Sequence, residues 1–449
     1  MIKDFKKKHQ NDIVLTIENG DFIQGSPLAD FIARKDPHFS FLFEKTANEI
    51  GYDVRVLGNH EFNYGLKYLK KAIPETSSVI NANIVSSKGD FYDKPFAIFD
   101  FQNVKIAVIG LTTKYVPHWE DSKNIDHLSF LDPVKKAKQL VPILKKKGAD
   151  LIFVAYHGGF ERSPLSDEPT EKITGENQGW ELLKKVPGID ALVTGHQHRL
   201  LSGLSNGING QIPFTQPGQR GQAVGLIEID YDTDNKKILD KSARLLFTKK
   251  YTPDQKIMDL ILPLQNKLDL YLDQTIGISE PDLLVKDHFK ARLYGHPYLD
   301  FVNKVQSSAV GADISATALF SNKVLGLPHE ITRRDVVTNY LFPNTAVSEA
   351  ITGRQLLAAL ERAAEYFSLD DKGDVIVSKD FSGKNVEHFN YDYFSGIDYT
   401  FDLKKSVGKR VENVTYNGQP IDPDKKYLVA ISNYRSSGTG GYEKKLLSR

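Results

Sequence analysis

An asparagine and a histidine stand side by side in Leu57-Gly58-Asn59-His60-Glu61-Phe62. They follow an apolar run at Tyr52, Val54 and Val56 and precede a helix-like pattern, so the pair is expected where a strand enters a loop. There an amide oxygen and an imidazole share one turn. Three other strand-like segments end in similar chemistry. Residues 13–17 lead to Glu18-Asn19-Gly20-Asp21, residues 151–155 to Tyr156-His157-Gly158-Gly159, and residues 191–194 to Gly195-His196-Gln197-His198. Singly, each has a bland explanation: Asp21 as a turn former, His157 as a polar loop residue, His196 as the neighbour of a glycine turn. Jointly they gather at the C-terminal ends of strands, the edge where open α/β sheets bind ligands.

Imidazoles, an amide oxygen and a carboxylate, without thiolates, suit manganese, iron or zinc, or a mixed pair. A carboxylate can bridge two such ions. Two divalent ions ~3.5–4 Å apart clamp an in-line phosphoryl displacement and lower the pKa of a bridging water towards ~7. A histidine that is not itself a ligand can then stabilise the transition state or protonate the leaving oxygen.

The elements that must position these residues alternate. Strands are expected at residues 54–57, 79–84 and 106–111, in addition to those above, with helical stretches near residues 39–50 and 133–147. This alternation implies an α/β sandwich. From residue 248 to 276 the composition changes. Ile257, Leu260, Ile261, Leu264, Leu268, Tyr271 and Leu272 recur at helical spacing, with Pro263 expected to kink or split the run. The stretch reads as a helix connecting residues 1–247 to a second domain at 277–449. That domain holds apolar runs at 314–320 and 336–341, a helix near 354–366 and a β-rich tail.

Two patches stand out in the second domain: Tyr340-Leu341-Phe342-Pro343-Asn344-Thr345 and Ser432-Asn433-Tyr434-Arg435-Ser436-Ser437-Gly438-Thr439-Gly440-Gly441-Tyr442. An aromatic ring beside an amide can stack on a nucleobase and bond its edge, each stacked base contributing ~1–3 kcal/mol. The plain alternative is that Phe342 and Tyr434 are core residues; the surrounding Pro-Asn and glycine-rich segments argue for exposure.

The 449 residues carry 58 Lys plus Arg against 57 Asp plus Glu, a balance that argues against nucleic-acid binding. There are no cysteines, which excludes disulfides, thiolate metal sites and a cysteine nucleophile. No apolar run approaches the ~18 residues of a membrane span, and the polar start, Met1 to Gln10, does not resemble a signal peptide.

Gly20-Asp21-Phe22-Ile23-Gln24-Gly25, Gly58-Asn59-His60-Glu61, His157 and Gly195-His196-Gln197-His198 together resemble the calcineurin-like metallophosphoesterases. More closely, they resemble the 5′-nucleotidase family and its 2′,3′-cyclic-nucleotide 2′-phosphodiesterase/3′-nucleotidase branch. The resemblance implies a four-layer α/β/β/α sandwich followed by an α+β substrate domain. It implies two divalent metal ions bridged by Asp21, with Asn59, His157 and His196 on the second and His198 on the first. His60 would be the catalytic imidazole, and Phe342 and Tyr434 would clamp the base, supported by Asn344. It implies a nucleotide substrate, hydrolysed from the 2′,3′-cyclic form to the 3′-nucleotide and then to nucleoside and phosphate. The alternatives are a 5′-nucleotidase or nucleotide-sugar hydrolase, or a nucleotide-binding remnant. Relatives are exported, so a periplasmic or cell-surface location is expected.

Two departures from the family pattern matter. The family opens with a strand ending in Asp-x-His; here Asp4 has Lys6 two residues on, and Asp12 has Val14, so the first strand and two ligands are expected to be missing. This first departure, a shortened chain, is read at the other end too: the chain stops soon after Tyr442, where relatives continue, and is expected to be clipped there. The second departure is Asn63, where 5′-nucleotidase members carry an aspartate that orients the catalytic histidine; Asn63 fits the cyclic-phosphodiesterase branch.

Overall fold

A computed structural model describes residues 1–101, 103–280, 282–340, 344–382, 386–438 and 440–442. The chain divides into two compact units, Met1–Leu268 and Asp269–Arg449. The division falls inside the helix Gln255–Leu272, which continues through Pro263.

The first unit is built on a six-stranded sheet. Its order is Phe96–Phe101, Val104–Thr112, Leu151–His157, Ala191–Thr194, Gly210–Pro217 and Leu200–Gly207. The four middle strands run parallel. Parallel strands are covered on both faces, and Val104–Thr112 is accordingly buried almost throughout. Helices Pro133–Lys146 and Gly179–Lys185 cover one face; Val134, Ala137, Val141, Leu144, Leu182 and Leu183 pack there with Ile109, Ile152, Val154 and Leu192. Pro133–Lys146 starts where the sequence favours it: Asp132 accepts the Lys135 N–H, and Pro133 occupies the first turn.

The other face meets a second, smaller parallel pair, Ile17–Glu18 with Val54–Arg55. Val54, Val56 and Ile80 pack between the sheets against Val108 and Ala155. Beyond it lie helices Pro27–Arg34, Phe41–Ile50 and Leu66–Ala72, sharing a core of Ile32, Leu42, Leu69 and Phe62. The layers are therefore helix, sheet, sheet, helix, the expected sandwich. The strand boundaries differ in detail. Residues 79–84 are not a strand: Val79 makes one isolated bridge to Arg55, and pairing begins at Ile84–Ser86. Asn81 explains the break, because its side chain bonds Ile84 N and O and Tyr92 O and so folds the backbone locally.

The second unit holds a four-stranded mixed sheet, in the order Ala346–Thr352, Lys426–Ser432, Ile314–Thr317 and Tyr393–Ser395. Its core joins Ile314, Ile351, Leu356, Leu360, Phe394 and Val429 with the helix Gly353–Ala364. The apolar run at 336–341 is mostly helical, within Arg333–Asn339. A capping box decides this: Thr332 accepts from Asp335 N while Asp335 accepts from Thr332 N.

Candidate metal centre

The parallel register sets the edge of the site. Thr112 pairs with His157, and Tyr156 with Thr194, so His157 and the turn carrying His196 leave adjacent strands side by side. On the smaller sheet, Ile17–Glu18 and Val54–Arg55 deliver Asp21 and Asn59 to the same edge.

Four of the expected ligands converge. Asp21 Oδ2 lies 3.2 Å from His157 Nε2. Asn59 Oδ1 lies 3.1 Å from His157 Nε2 and 2.9 Å from His196 Nδ1. The donor atoms of Asp21, His157 and His196 all fall within 4.8 Å of one another. His157 Nδ1 is 2.6 Å from the Asn19 carbonyl, which only accepts, so the neutral ring carries its proton there and its lone pair on Nε2. At His196 the carboxylate of Glu176 sits 2.9 Å from Nε2, which places that ring's lone pair on Nδ1. Both lone pairs thus face the Asn59 oxygen. With the Asn59 oxygen so turned, acceptors face an acceptor, an arrangement that a divalent cation between them relieves. The donor set fits such an ion.

Without a cation, a proton does the same work. Burial disfavours a charged His157, but Asp21 beside it outweighs this and raises its pKa to about 9. Burial likewise opposes charge on Asp21, yet His157 holds it well below the usual carboxylate range.

The site is held under local strain. Asp21, His196 and His198 have φ of 63°, 67° and 59°, the left-handed region that costs non-glycine residues on the order of 1–3 kcal/mol each. Glu61 ties the pieces together. Fully buried, it accepts the backbone N–H of Asp21 at 2.8 Å, of Gly58 at 2.5 Å and of Phe22 at 2.7 Å. One carboxylate therefore joins the Asp21 turn to the Asn59 loop.

His60 stands apart from the converging group. Its backbone N–H donates to Asp21 Oδ1 at 2.9 Å, while its ring Nδ1 lies 2.6 Å from Asn63 Oδ1. His198 is outside the convergence too. Its pKa is lowered, first by burial and also by the neighbouring His196, His60 and His157, against the pull of Asp21.

In the second unit, described residues of the two patches meet. Asn433 N–H donates to the Thr345 carbonyl at 2.8 Å, and Thr345 N–H to Asn433 Oδ1 at 3.0 Å. Asn344 and Tyr434 are thereby brought to one end of the sheet, both half-buried. Tyr434 lies on the short helix Asn433–Ser436, anchored by the buried Arg435–Asp392 ion pair at 2.6 Å. Phe342 lies outside the described residues.

Reading the sequence alone left Glu61 without a task and missed Glu176, Trp119 and Glu120. Trp119 is 41% exposed and its ring lies 5.3 Å from that of His196. None of the last three sits beside a strand-end motif, which was the signal that found the others.

Comparisons with known proteins identify the family. Residues 1–200 match the calcineurin-like phosphoesterase family, and residues 284–446 the 5′-nucleotidase C-terminal domain. A crystal structure of a putative 5′-nucleotidase from Staphylococcus aureus, in complex with alpha-ketoglutarate, is 34% identical with a TM-score of 0.84, covering 99% of this chain and 86% of that one. The 2′,3′-cyclic-nucleotide 2′-phosphodiesterase/3′-nucleotidase of Haemophilus influenzae is 28% identical, over 98% of this chain and 75% of that protein. Its namesake from Salmonella typhimurium is 27% identical over 94% and 74%. The chain belongs to the calcineurin-like phosphoesterases that carry a 5′-nucleotidase C-terminal domain. By class it is a phosphoric ester hydrolase.

Proposed function

We propose that the chain hydrolyses 2′,3′-cyclic nucleotides to 3′-nucleotides and then releases phosphate to leave the nucleoside. The observation that carries the reading is the convergence of Asp21, Asn59, His157 and His196 on one point, with His60 beside it and engaged elsewhere. Similarity to proteins named for this activity, along nearly the whole chain, supports the substrate class.

One divalent cation would be held by Asp21, Asn59, His157 and His196, and a second by Asp21 with His198. When bound, such ions supply Lewis-acid activation of water and neutralise phosphate charge. His60 supplies a proton or hydrogen bond to the phosphoryl or leaving oxygen. Asn63 fixes the direction of that ring through Nδ1. Phe342, Asn344 and Tyr434 hold the base by stacking and edge bonding. Among the described residues, no helix is long and apolar enough to cross a membrane. The family resemblance supports a periplasmic or cell-surface location.

The test is manganese-dependent release of 3′-AMP and phosphate from 2′,3′-cyclic AMP, compared with 5′-AMP. Faster turnover of 5′-AMP would favour a 5′-nucleotidase, the reading that similarity to the putative 5′-nucleotidase of Staphylococcus aureus supports. Absence of metal-dependent turnover on any nucleotide sinks both. His60→Ala is expected to lower kcat by ~10²–10⁴-fold with bound metal little changed; equal loss of both would make His60 a ligand instead.

A further inference from the structure

We infer that Glu120 is a positioning residue for His60, acting through the side chain of Asn63. This rests on the reading of His60 as the catalytic imidazole. The observation is a chain of side chains with one possible polarity. Glu120 Oε2 lies 2.6 Å from Asn63 Nδ2. Its other oxygen, Oε1, accepts the Asn124 side-chain amide at 2.8 Å and the Asp121 backbone N–H at 2.9 Å.

A carboxylate only accepts, so Asn63 must turn its NH₂ to Glu120 and its oxygen to His60. That oxygen, 2.6 Å from His60 Nδ1, can bond only if Nδ1 carries the hydrogen. Nε2 is then the nitrogen left for substrate. Asn63 alone could not enforce this, because an amide presents a donor as readily as an acceptor. The negative charge that selects the tautomer comes from the loop that follows the turn Val116–His118, fifty-seven residues along the chain from Asn63. The same loop carries Trp119 against His196. It is therefore part of the site at both ends.

A near-isosteric change at Glu120 reverses the polarity of the chain. In Glu120→Gln the new oxygen keeps Asn124 and Asp121, and the new NH₂ faces Asn63. Asn63 flips to accept it, its own NH₂ turns to His60, and the imidazole proton moves to Nε2. The double variant Asn63→Asp/Glu120→Gln restores every bond: the carboxylate introduced at position 63 takes the new NH₂ at position 120 on one oxygen and the His60 Nδ1–H on the other.

The experiment measures 2′,3′-cyclic AMP and 3′-AMP turnover with manganese, together with ¹⁵N-histidine NMR of the zinc-loaded full chain, the His60 resonances being assigned with His60→Gln. Expected for Glu120→Gln are a kcat lower by roughly 10²-fold, KM and metal affinity within about twofold, and a His60 proton on Nε2. The double variant should return both kcat and the Nδ1 tautomer. Wild-type tautomer and kcat in Glu120→Gln would overturn the inference. So would losses spread equally over KM and metal affinity, or a double variant no better than the single. If wild type turns over neither nucleotide, the functional reading fails, and the His60 tautomer still decides the role of Glu120.

Discussion

Replacing Gly58 with alanine sets one methyl group against the ligand cluster. A Cβ there would lie 2.3 Å from Asp21 Oδ1, 2.6 Å from Asp21 N and 2.7 Å from His157 Cε1. Ordinary contact begins at 3.4 Å, so the Asp21 carboxylate must withdraw by about 1 Å, and the Asp21 backbone and the His157 ring must give way with it. Gly58 is not among the positive-φ glycines, so alanine is allowed by the backbone and stiffens the unfolded chain, a gain of ~0.4–1 kcal/mol. Overpacking costs ~1–3 kcal/mol. The balance is a loss of at most about 2.6 kcal/mol, too small to unfold a domain stable by ~5–15 kcal/mol. The metal is far less tolerant, since ligand distances hold within about ±0.2 Å. Gly58→Ala should therefore fold, with a urea midpoint slightly lowered, while its manganese Kd by titration calorimetry rises ~10–100-fold, the scale seen when supporting residues of metal sites are lost. Gly277→Ala, whose Cβ would meet nothing within 4 Å, is the silent control. A folded Gly58→Ala chain binding manganese within about threefold of wild type, well short of that scale, would refute the argument that the bare α-carbon sets the ligand spacing.

Glu176→Ala removes the carboxylate that fixes the His196 tautomer, and should weaken manganese binding ~10-fold or more; unchanged affinity by calorimetry would show that His196 needs no such partner. Asp392→Ala strips the buried Arg435 of its ion-pair partner, so the second unit should lose ~3–5 kcal/mol in urea unfolding; a loss under ~1 kcal/mol would mean that the Asn390 and Phe389 bonds to Arg435 suffice. His388 gives a pH test. Burial, and then Arg292, lower its pKa to about 4, and its neutral Nδ1 accepts from the Tyr366 hydroxyl at 2.6 Å. A depressed folded-state pKa stabilises above the unfolded value near 6.5 and is lost as pH falls towards 4. The wild-type denaturation midpoint should therefore fall over that interval more steeply than that of His388→Gln; parallel curves would rule His388 out.

Asp21, Asn59, His60, His157, His196 and His198 were legible in the sequence because each stands at or just beyond a strand end marked by glycine. A strand's direction is a local property, and the parallel rule then carries every strand's end to one edge. Residue types and spacing alone do not say which of these atoms converge; the family resemblance does, grouping Asn59, His157 and His196 with Asp21 and leaving His198 and His60 outside that group, as the structure has them. His198 and His60 carry the same ring as His157 and His196; the physical reason they stand apart is the turn geometry, with φ of 59° at His198 and the bond from His60 to Asn63. Errors of secondary structure came where side chains overrode propensity. The Thr332–Asp335 box turned a β-branched run into helix, and Asn81 bent the run at 79–84.

By itself, the sequence determined the class of the protein and the donor chemistry of its centre, since residue types and strand-end positions are local facts. Tertiary structure alone decided which way those donors point. Glu61, Glu120 and Glu176 do that through hydrogen bonds to partners as distant in sequence as Phe22, Asn63 and His196. A carboxylate's role lies in what it accepts from, and nothing in the order of the residues states which donors folding will bring to it.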